Sequence, residues 1–463
     1  LRLDPTVFRE YDIRGIAWEN LDPQVFTVLG AAFGTIIRDQ GGGRVVVGRD
    51  GRISSPNLCG ALVAGLLGVG CEAYEIGLVT TPMVYFAIKD LSADGGAAVT
   101  ASHNPAQYNG LKLRTRDQPL SGEDIQHLRQ VAENGPFSEG VGHRVAVASI
   151  VDDYLSAIAQ RLRVEKGLKV VVDAGNGAAG LVAPKLFRQL GCEVTELYCE
   201  IDGRFPHHLP DPSEEENLHD LVAAVKEHQA DVGFAYDGDG DRLGLVTDEG
   251  EVLSGDLILA LMAGEVLKRQ TGTVVFDLLS SRSLIDVIHR HGGIPVMAPT
   301  GYTRVMAEVK RTGALMGGEA SGHIFLNDEL FDSDDGIFAS AKVLEALSGS
   351  RRRISELAAD IPRYCSGPEV KLPCSDEHKF MVMDRIREHF RDRFELVDLD
   401  GLRIEFERGW ASVRASHTTP NVALVFEAQT PESLAEIKTS IMREVTACCA
   451  GEISAGVLGL PAN

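Results

Sequence analysis

Three aspartates stand at alternate positions near the middle of the chain, Asp237, Asp239 and Asp241, separated by Gly238 and Gly240. Carboxylates at that spacing, on a backbone that glycines allow to turn sharply, can converge on one hard cation. The stretch around them, ADVGFAYDGDGDRLGLVTD, reads as two strands flanking the loop. An acidic β-turn would also carry D-G. Three crowded carboxylates repel one another unless a cation or a partner compensates, so a metal is expected. A calcium EF-hand does not fit: its sixth loop position takes glycine and here is Arg242, and its flanks are helices. Three oxygen ligands leave positions open for a phosphate oxygen, which suits Mg²⁺. Arg242 could then hold a phosphoryl group beside the metal.

A second candidate is Ser102. The run Gly95–Thr100 (GGAAVT) is a predicted strand and leads into Ala101-Ser102-His103-Asn104-Pro105. A proline after Asn104 disfavours helix and marks a turn. A serine just past the carboxyl end of a strand is placed to be a nucleophile, although a turn or capping serine would read the same way. A serine hydrolase is not indicated. No G-x-S-x-G occurs, and the adjacent side chains of Ser102 and His103 are expected to diverge.

Elements able to position these loops recur along the chain. A β-rich run, a marked loop, a helix, a glycine and a second strand appear three times. The first copy is Arg44–Asp50, a helix near Asn57–Leu67, then Gly70 and CEAYEIG; the second is Leu168–Asp173, a helix to Leu190, then Gly191 and CEVTELY. The third is Thr273–Asp277, a helix from Ser281 to His291, then GGIPVMAP. Continuous Val-rich strands beside helices suit a sheet covered on both faces. From about Pro368, short strands and two helices, Lys379–Phe390 and Pro431–Ala447, indicate a smaller unit with an antiparallel meander. The expected architecture is three tandem similar α/β domains with mixed sheets plus a C-terminal α+β domain, around a central cleft. Their expected spans are 1–146, 147–249, 250–362 and 363–463.

Composition narrows the function classes. With 463 residues, several cores are needed. The 45 basic against 67 acidic residues give a formal charge of −22, which argues against nucleic acid or anionic membrane as a partner. An anionic small substrate remains compatible with cations gathered in one cleft. The cysteines are scattered without a C-x-x-C pair, so no zinc ribbon or redox motif is expected. No secretory leader or apolar run of spanning length is seen, and a cytoplasmic location is expected. Oligomeric state is not readable, a monomer being favoured.

Together, T-x-S-H-N-P around Ser102 and D-G-D-G-D-R around the aspartates resemble the α-D-phosphohexomutase superfamily. The resemblance runs along the chain: Tyr11-Asp12-Ile13-Arg14-Gly15, Gly48-Arg49-Asp50-Gly51-Arg52, the serine loop, Tyr108-Asn109-Gly110-Leu111-Lys112, the aspartate loop, Gly318-Glu319-Ala320-Ser321-Gly322-His323, and Arg414-Ala415-Ser416-His417-Thr418-Thr419-Pro420. It is most similar to the bacterial phosphomannomutase/phosphoglucomutase group. The resemblance implies a phosphoserine at Ser102 and Mg²⁺ held by Ser102, Asp237, Asp239 and Asp241. It implies reaction-site roles for Arg14, His103, Lys112, Arg242 and His323, with His323 and Lys112 as proton-transfer candidates. Sugar-phosphate contacts would come from Tyr11, Tyr302, Glu319, Ser321, Arg414, Ser416, His417 and Thr418. The implied reaction moves a phosphoryl group between positions 1 and 6 of mannose or glucose through a hexose 1,6-bisphosphate, which is also the activator, while the fourth domain rotates. The loops make chemical sense on their own terms. R-x-S-x-T-T offers a guanidinium, hydroxyls and backbone donors to a phosphate, and Glu319 and Ser321 can hydrogen-bond vicinal hydroxyls.

Three positions depart from that group: Leu279 where a lysine is usual, Tyr302 where a histidine is common, and His417 in place of asparagine. Arg304 is a candidate to compensate for the cation missing at 279. The departures leave glucose against mannose undecided. Two other readings are a magnesium-dependent sugar-phosphate phosphatase using water as acceptor and a sugar-phosphate-binding protein without turnover. A P-loop kinase is disfavoured because no G-x-x-x-x-G-K-[ST] occurs.

Overall fold

The computed structural model describes residues 3–164, 167–350, 352–375, 377–415 and 421–448. Among the described residues, four sheets organise the chain. The first is mixed and runs in the order Ile13–Ile16, Tyr108–Thr115, Gly95–Val99, Arg44–Arg49, Glu72–Leu78, His143–Ala146. The second is built around Lys169–Asp173 and the third around Thr273–Asp277, each with parallel neighbours and an antiparallel edge. Central strands such as Arg44–Arg49 and Val232–Tyr236 are buried on both faces, the physical reason for their continuous apolar runs.

The repeat has a functional consequence. In each of the first three sheets, one strand pairs parallel with the central strand and antiparallel with the next strand in sequence. These pairs are Gly95–Val99 with Tyr108–Thr115, Val232–Tyr236 with Leu243–Thr247, and Met316–Gly318 with Ile324–Leu326. The connections are the serine loop, the aspartate loop and the Glu319 loop. Equivalent places in three copies of one motif therefore carry the three candidate loops. In the fourth sheet, whose pairings are antiparallel, Gly409–Ala415 and Asn421–Ala428 flank residues 416–420. Ser416, His417 and Thr418 lie in that segment, outside the described residues.

The first three units share one apolar cluster. Phe86, Tyr154 and Phe331, one from each, meet with ring centroids 5.5, 5.5 and 5.7 Å apart. Each such pair contributes about 0.5–1.5 kcal/mol beyond burial, so the cleft walls formed by these units are stiffly joined. The fourth unit packs helices Lys379–Phe390 and Pro431–Cys448 on its sheet and has its own cluster. It meets the third through buried Arg403, which lies 3.8 Å over the Trp410 ring and donates to Leu278 O (2.9 Å) and Ser280 O (2.8 Å). Among the described residues no helix is long and apolar enough to cross a membrane.

Candidate active site

The main cavity has a volume of about 1570 Å³ and is lined, among others, by Tyr11, Arg14, Ser102, Lys112, Arg242, Tyr302, His323 and Arg414. Residues far apart in sequence and drawn from all four units thus face one space.

Ser102 adopts a left-handed conformation, φ 49°, which costs a non-glycine residue of order 1–3 kcal/mol and persists only where the surroundings impose it. Arg52 imposes it. Its side chain is buried, pairs with Asp50 at 3.0 Å, and donates to the carbonyls of Ser102 (2.7 Å), Asn104 (2.7 Å), Pro105 (2.8 Å) and Tyr108 (3.1 Å). Asp50 also accepts from Thr100 Oγ1 at 2.8 Å, and Thr100 Oγ1 accepts from Ser102 N at 2.9 Å. One result corrects the sequence expectation: Ser102 and His103 do not diverge. The left-handed turn brings Ser102 Oγ to 3.1 Å from His103 Nδ1. Burial, and then Arg242 and Arg14, push the His103 imidazole well below its ordinary pKa, so it is neutral.

Arg52→Lys keeps the charge but not the planar fork that spans these carbonyls. It is expected to lower kcat by about 10²-fold through misplacement of Ser102, measured in a coupled assay. Arg52→Met, which leaves Asp50 buried and unpaired, should lose about 3–5 kcal/mol in urea unfolding.

The aspartates converge as expected. Asp237, Asp239 and Asp241 are buried and present oxygens within 4.8 Å of one another. Gly238 passes so close to the serine loop that an added Cβ would lie 2.3 Å from Ser102 O, and Gly240 has φ +77°. Glycine is thus required at both places by backbone approach and by conformation. Ser102 Oγ donates to Asp237 at 2.5 Å. Lys112 Nζ donates to Asp239 at 2.9 Å and also to Asp241, and Thr81 Oγ1 donates to Asp239 at 2.6 Å. Burial, with Asp241 and Asp239 beside it, pushes the Asp237 carboxyl well up; Asp239 is held low against burial, chiefly by Lys112. Lys112, although buried, is raised well above its usual value by Asp239 and Asp241 and is an ammonium. Asp239 Oδ1 and Asp241 Oδ1 are buried without a hydrogen-bond partner. Such atoms cost free energy unless something compensates, and a hard divalent cation fits them.

Opposite, His323 is buried between Asp334, whose Oδ2 is 2.7 Å from Nδ1, and Arg242, whose Nε donates to Nε2 at 3.0 Å. This fixes Nδ1–H as the donor to Asp334. Asp241 and Asp334 raise the imidazole's proton affinity against burial, whereas Arg242 disfavours protonation at Nε2. Tyr302 stacks on His323 with centroids 5.5 Å apart, faces Lys112 Nζ at 5.7 Å and donates to Tyr11 O at 3.1 Å. Tyr11 in turn donates to Thr300 O at 2.9 Å. Arg14 donates to Asn104 Oδ1 at 2.6 Å and pairs with Asp12. Glu319 is buried, accepts from Gly301 N at 2.6 Å, and is pushed up to about 7 chiefly by burial. Ser321 lines a second cavity of about 540 Å³ instead of the main one. Arg304 does not supply the cation absent at Leu279: it binds Glu10 at 3.0 Å and Asp400 at 2.9 Å, tying the third unit to the first and fourth. Thr81 and Asp334 escaped the sequence reading, in which Arg52 stood only as the end of the Gly48–Arg52 motif, without a role. Only Arg52 left a signal there, a basic residue two after an aspartate at a strand end.

Fold and cleft define a protein of four tandem units, three of one plan, that jointly present a strained serine to a buried carboxylate cluster. Family models for the phosphoglucomutase/phosphomannomutase alpha/beta/alpha domains I, II and III match residues 5–139, 152–250 and 254–364, and the model for the C-terminal domain matches 369–444. The chain belongs to the phosphoglucomutase/phosphomannomutase family. It is 41% identical over 447 residues to a phosphomannomutase/phosphoglucomutase of Pseudomonas aeruginosa, covering 96% of each chain. It is 40% identical to a phosphoglucomutase of Neisseria gonorrhoeae over 93% of this chain and 95% of that one. A crystal structure of a Burkholderia thailandensis phosphoglucomutase/phosphomannomutase family protein superimposes with TM-score 0.92 at 40% identity, covering 97% and 99% of the two chains.

Proposed function

We propose that this chain interconverts hexose 1-phosphate and hexose 6-phosphate through a phosphorylated Ser102. The observation that carries the reading is the placement of Ser102 Oγ, 2.5 Å from Asp237 at the edge of the buried aspartate cluster, with Lys112, Arg242 and His323 lining the same cleft. Asp237, Asp239, Asp241 and a phosphoryl oxygen on Ser102 would hold Mg²⁺, which supplies charge neutralisation when bound. Lys112, as an ammonium, offsets phosphoryl charge and is not the base. The attacked phosphorus leaves Ser102 Oγ as the sugar oxygen bonds to it, and the hydroxyl proton passes to His323 Nε2 as Arg242 Nε turns from that nitrogen to the phosphoryl oxygens. Asp334 stabilises the resulting imidazolium. The bisphosphate turns over in the cleft, and its other phosphoryl group returns to Ser102. Arg414, with Ser416, His417 and Thr418, would grip the unreacting phosphate. The separate apolar cluster of the fourth unit is compatible with its rotation to accept both orientations.

Sugar choice is part of the proposal: both mannose and glucose phosphates are substrates. Tyr11 and Tyr302 face the sugar, with Glu319 as a hydroxyl contact. A coupled assay with glucose 1-phosphate and mannose 1-phosphate, Mg²⁺ and a trace of glucose 1,6-bisphosphate tests this. Formation of both 6-phosphates is expected. Free phosphate without isomer would overturn the mutase reading in favour of hydrolysis.

A further inference from the structure

The central strand of each of the first three sheets ends on, or is followed by, a buried aspartate: Asp50 after Arg44–Arg49, Asp173 closing Lys169–Asp173, and Asp277 closing Thr273–Asp277. All three make the same local turn. Each accepts the backbone N–H two residues on, from Arg52 at 3.0 Å, Gly175 at 2.9 Å and Leu279 at 3.4 Å. In the first unit the aspartate also reaches the serine loop, through Thr100 Oγ1 to Ser102 N. In the third unit its counterpart reaches the Glu319 loop directly, Ala320 N donating to Asp277 Oδ1 at 3.2 Å. Resting on the proposed function, in which Glu319 contacts a sugar hydroxyl, we propose that Asp277 is a positioning residue that aims Glu319 and thereby sets discrimination for that hydroxyl.

Asp277 joins the segments that frame Glu319. Oδ1 accepts from Ser280 Oγ at 2.6 Å as well as from Ala320 N; Oδ2 accepts from Leu279 N and from Thr300 Oγ1, both at 3.4 Å. Thr300 and Tyr302 line the cleft, and Gly301 between them donates its N–H to Glu319 Oε1 at 2.6 Å. Thr300 O also accepts from Tyr11 at 2.9 Å, which ties this wall to the first unit. One carboxylate therefore fixes both the backbone beside Glu319 and the wall that holds its side chain. The turn over Asp277 is gripped from the fourth unit as well, by Arg403 at the carbonyls of Leu278 and Ser280.

The donor count makes the charge specific. All four groups facing Asp277 donate, two to each oxygen, and a carboxylate is acceptor-only. An asparagine has one oxygen, so in either orientation its NH₂ faces two donors. The adjustment must fall on Leu279 and Thr300 or on Ser280 and Ala320, and either moves a segment that frames Glu319.

The test compares glucose 1-phosphate with its 3-deoxy and 4-deoxy analogues, using the full chain, Mg²⁺ and a trace of glucose 1,6-bisphosphate, with isomer followed by ³¹P NMR. Wild type is expected to prefer glucose 1-phosphate over at least one analogue by about 10²-fold in kcat/KM. Asp277→Asn should reduce that preference to about threefold or less. The preference is a ratio within one protein, so it does not depend on the fraction folded, and a merely structural aspartate would lower the parent and the analogue alike. Glu319→Ala should lose the same preference, and Asp277→Asn/Glu319→Ala no more than Glu319→Ala alone. Preference kept in Asp277→Asn, or losses that multiply in the double variant, would overturn the inference alone. If Asp277→Asn turns over no substrate, Thr300→Val decides: it removes one donor and should lower the preference about threefold, and an unchanged preference would overturn the inference. A wild type that forms no isomer, or forms it without preference, would overturn the proposed function or its Glu319 contact first, so the failures are distinguishable.

Discussion

Ser102→Ala is expected to abolish turnover, lowering kcat by ~10⁴-fold or more, because nucleophile and phosphoryl carrier are lost together. The substitution removes the donor to Asp237 but none of the four carbonyls that Arg52 grips, so the loop should keep its path. Its stability cost is modest: an alanine retains the backbone strain at φ 49° and loses the contacts of Oγ with Asp237 and His103, about 1 kcal/mol each. Two measurements check the prediction. A coupled mutase assay should show no isomer, and intact mass should show no phosphate-sized increment after incubation with glucose 1,6-bisphosphate. Thermal unfolding close to that of wild type would rule out collapse of the fold as the cause. Activity persisting within tenfold would mean that the phosphoryl group travels without Ser102.

The second large effect is expected at Asp239. This carboxylate joins three things at once: it accepts from Lys112 and from Thr81, and its Oδ1 is buried without a hydrogen-bond partner. Asp239→Asn keeps the shape and removes the charge that lets the cluster hold a cation. It should lower kcat by about 10³-fold, comparable to the loss of a preorganised charge-stabilising group. A second readout does not depend on turnover. Mg²⁺ at a hundredfold excess over its Kd should stabilise wild type by about 2.7 kcal/mol, and Asp239→Asn not at all at that concentration. Equal stabilisation of both proteins would place the cation elsewhere.

Much of this was legible in the residues because the signals are local. D-G-D-G-D dictates its own turn: glycines at 238 and 240 supply the close approach and the left-handed φ, and the aspartates follow. The strands were readable for a related reason, since burial on both faces demands apolar runs, as at Val45–Val47 and Val170–Val172. The helix after Thr273–Asp277 begins within a residue of its expected start, capped by Ser281, which accepts from Ser283 N.

What the residues did not disclose is long-range. Arg52 closes the Gly48–Arg52 motif without a stated role until the fold carries the serine loop over it, some 50 positions on, and buries it under four carbonyls. Lys112 looks like a base by its type, and only its two buried aspartate partners show that its ammonium form is favoured against burial. The divergence expected of Ser102 and His103 assumed ordinary backbone angles. A left-handed φ reverses it, and that angle is imposed by tertiary contacts no local rule contains. Arg304 was similarly ambiguous, since its side chain could equally have turned to the cleft; Glu10 and Asp400 draw it to the junction of three units.

The most direct test follows the phosphoryl group itself. Protein carrying ³²P on Ser102 is mixed, in a single turnover with Mg²⁺, with unlabelled glucose 1-phosphate. Label recovered in glucose 1,6-bisphosphate and glucose 6-phosphate, with Ser102 refilled by unlabelled phosphate, is the expected result. Label released as inorganic phosphate, or retained on the protein while isomer accumulates, would contradict transfer through Ser102.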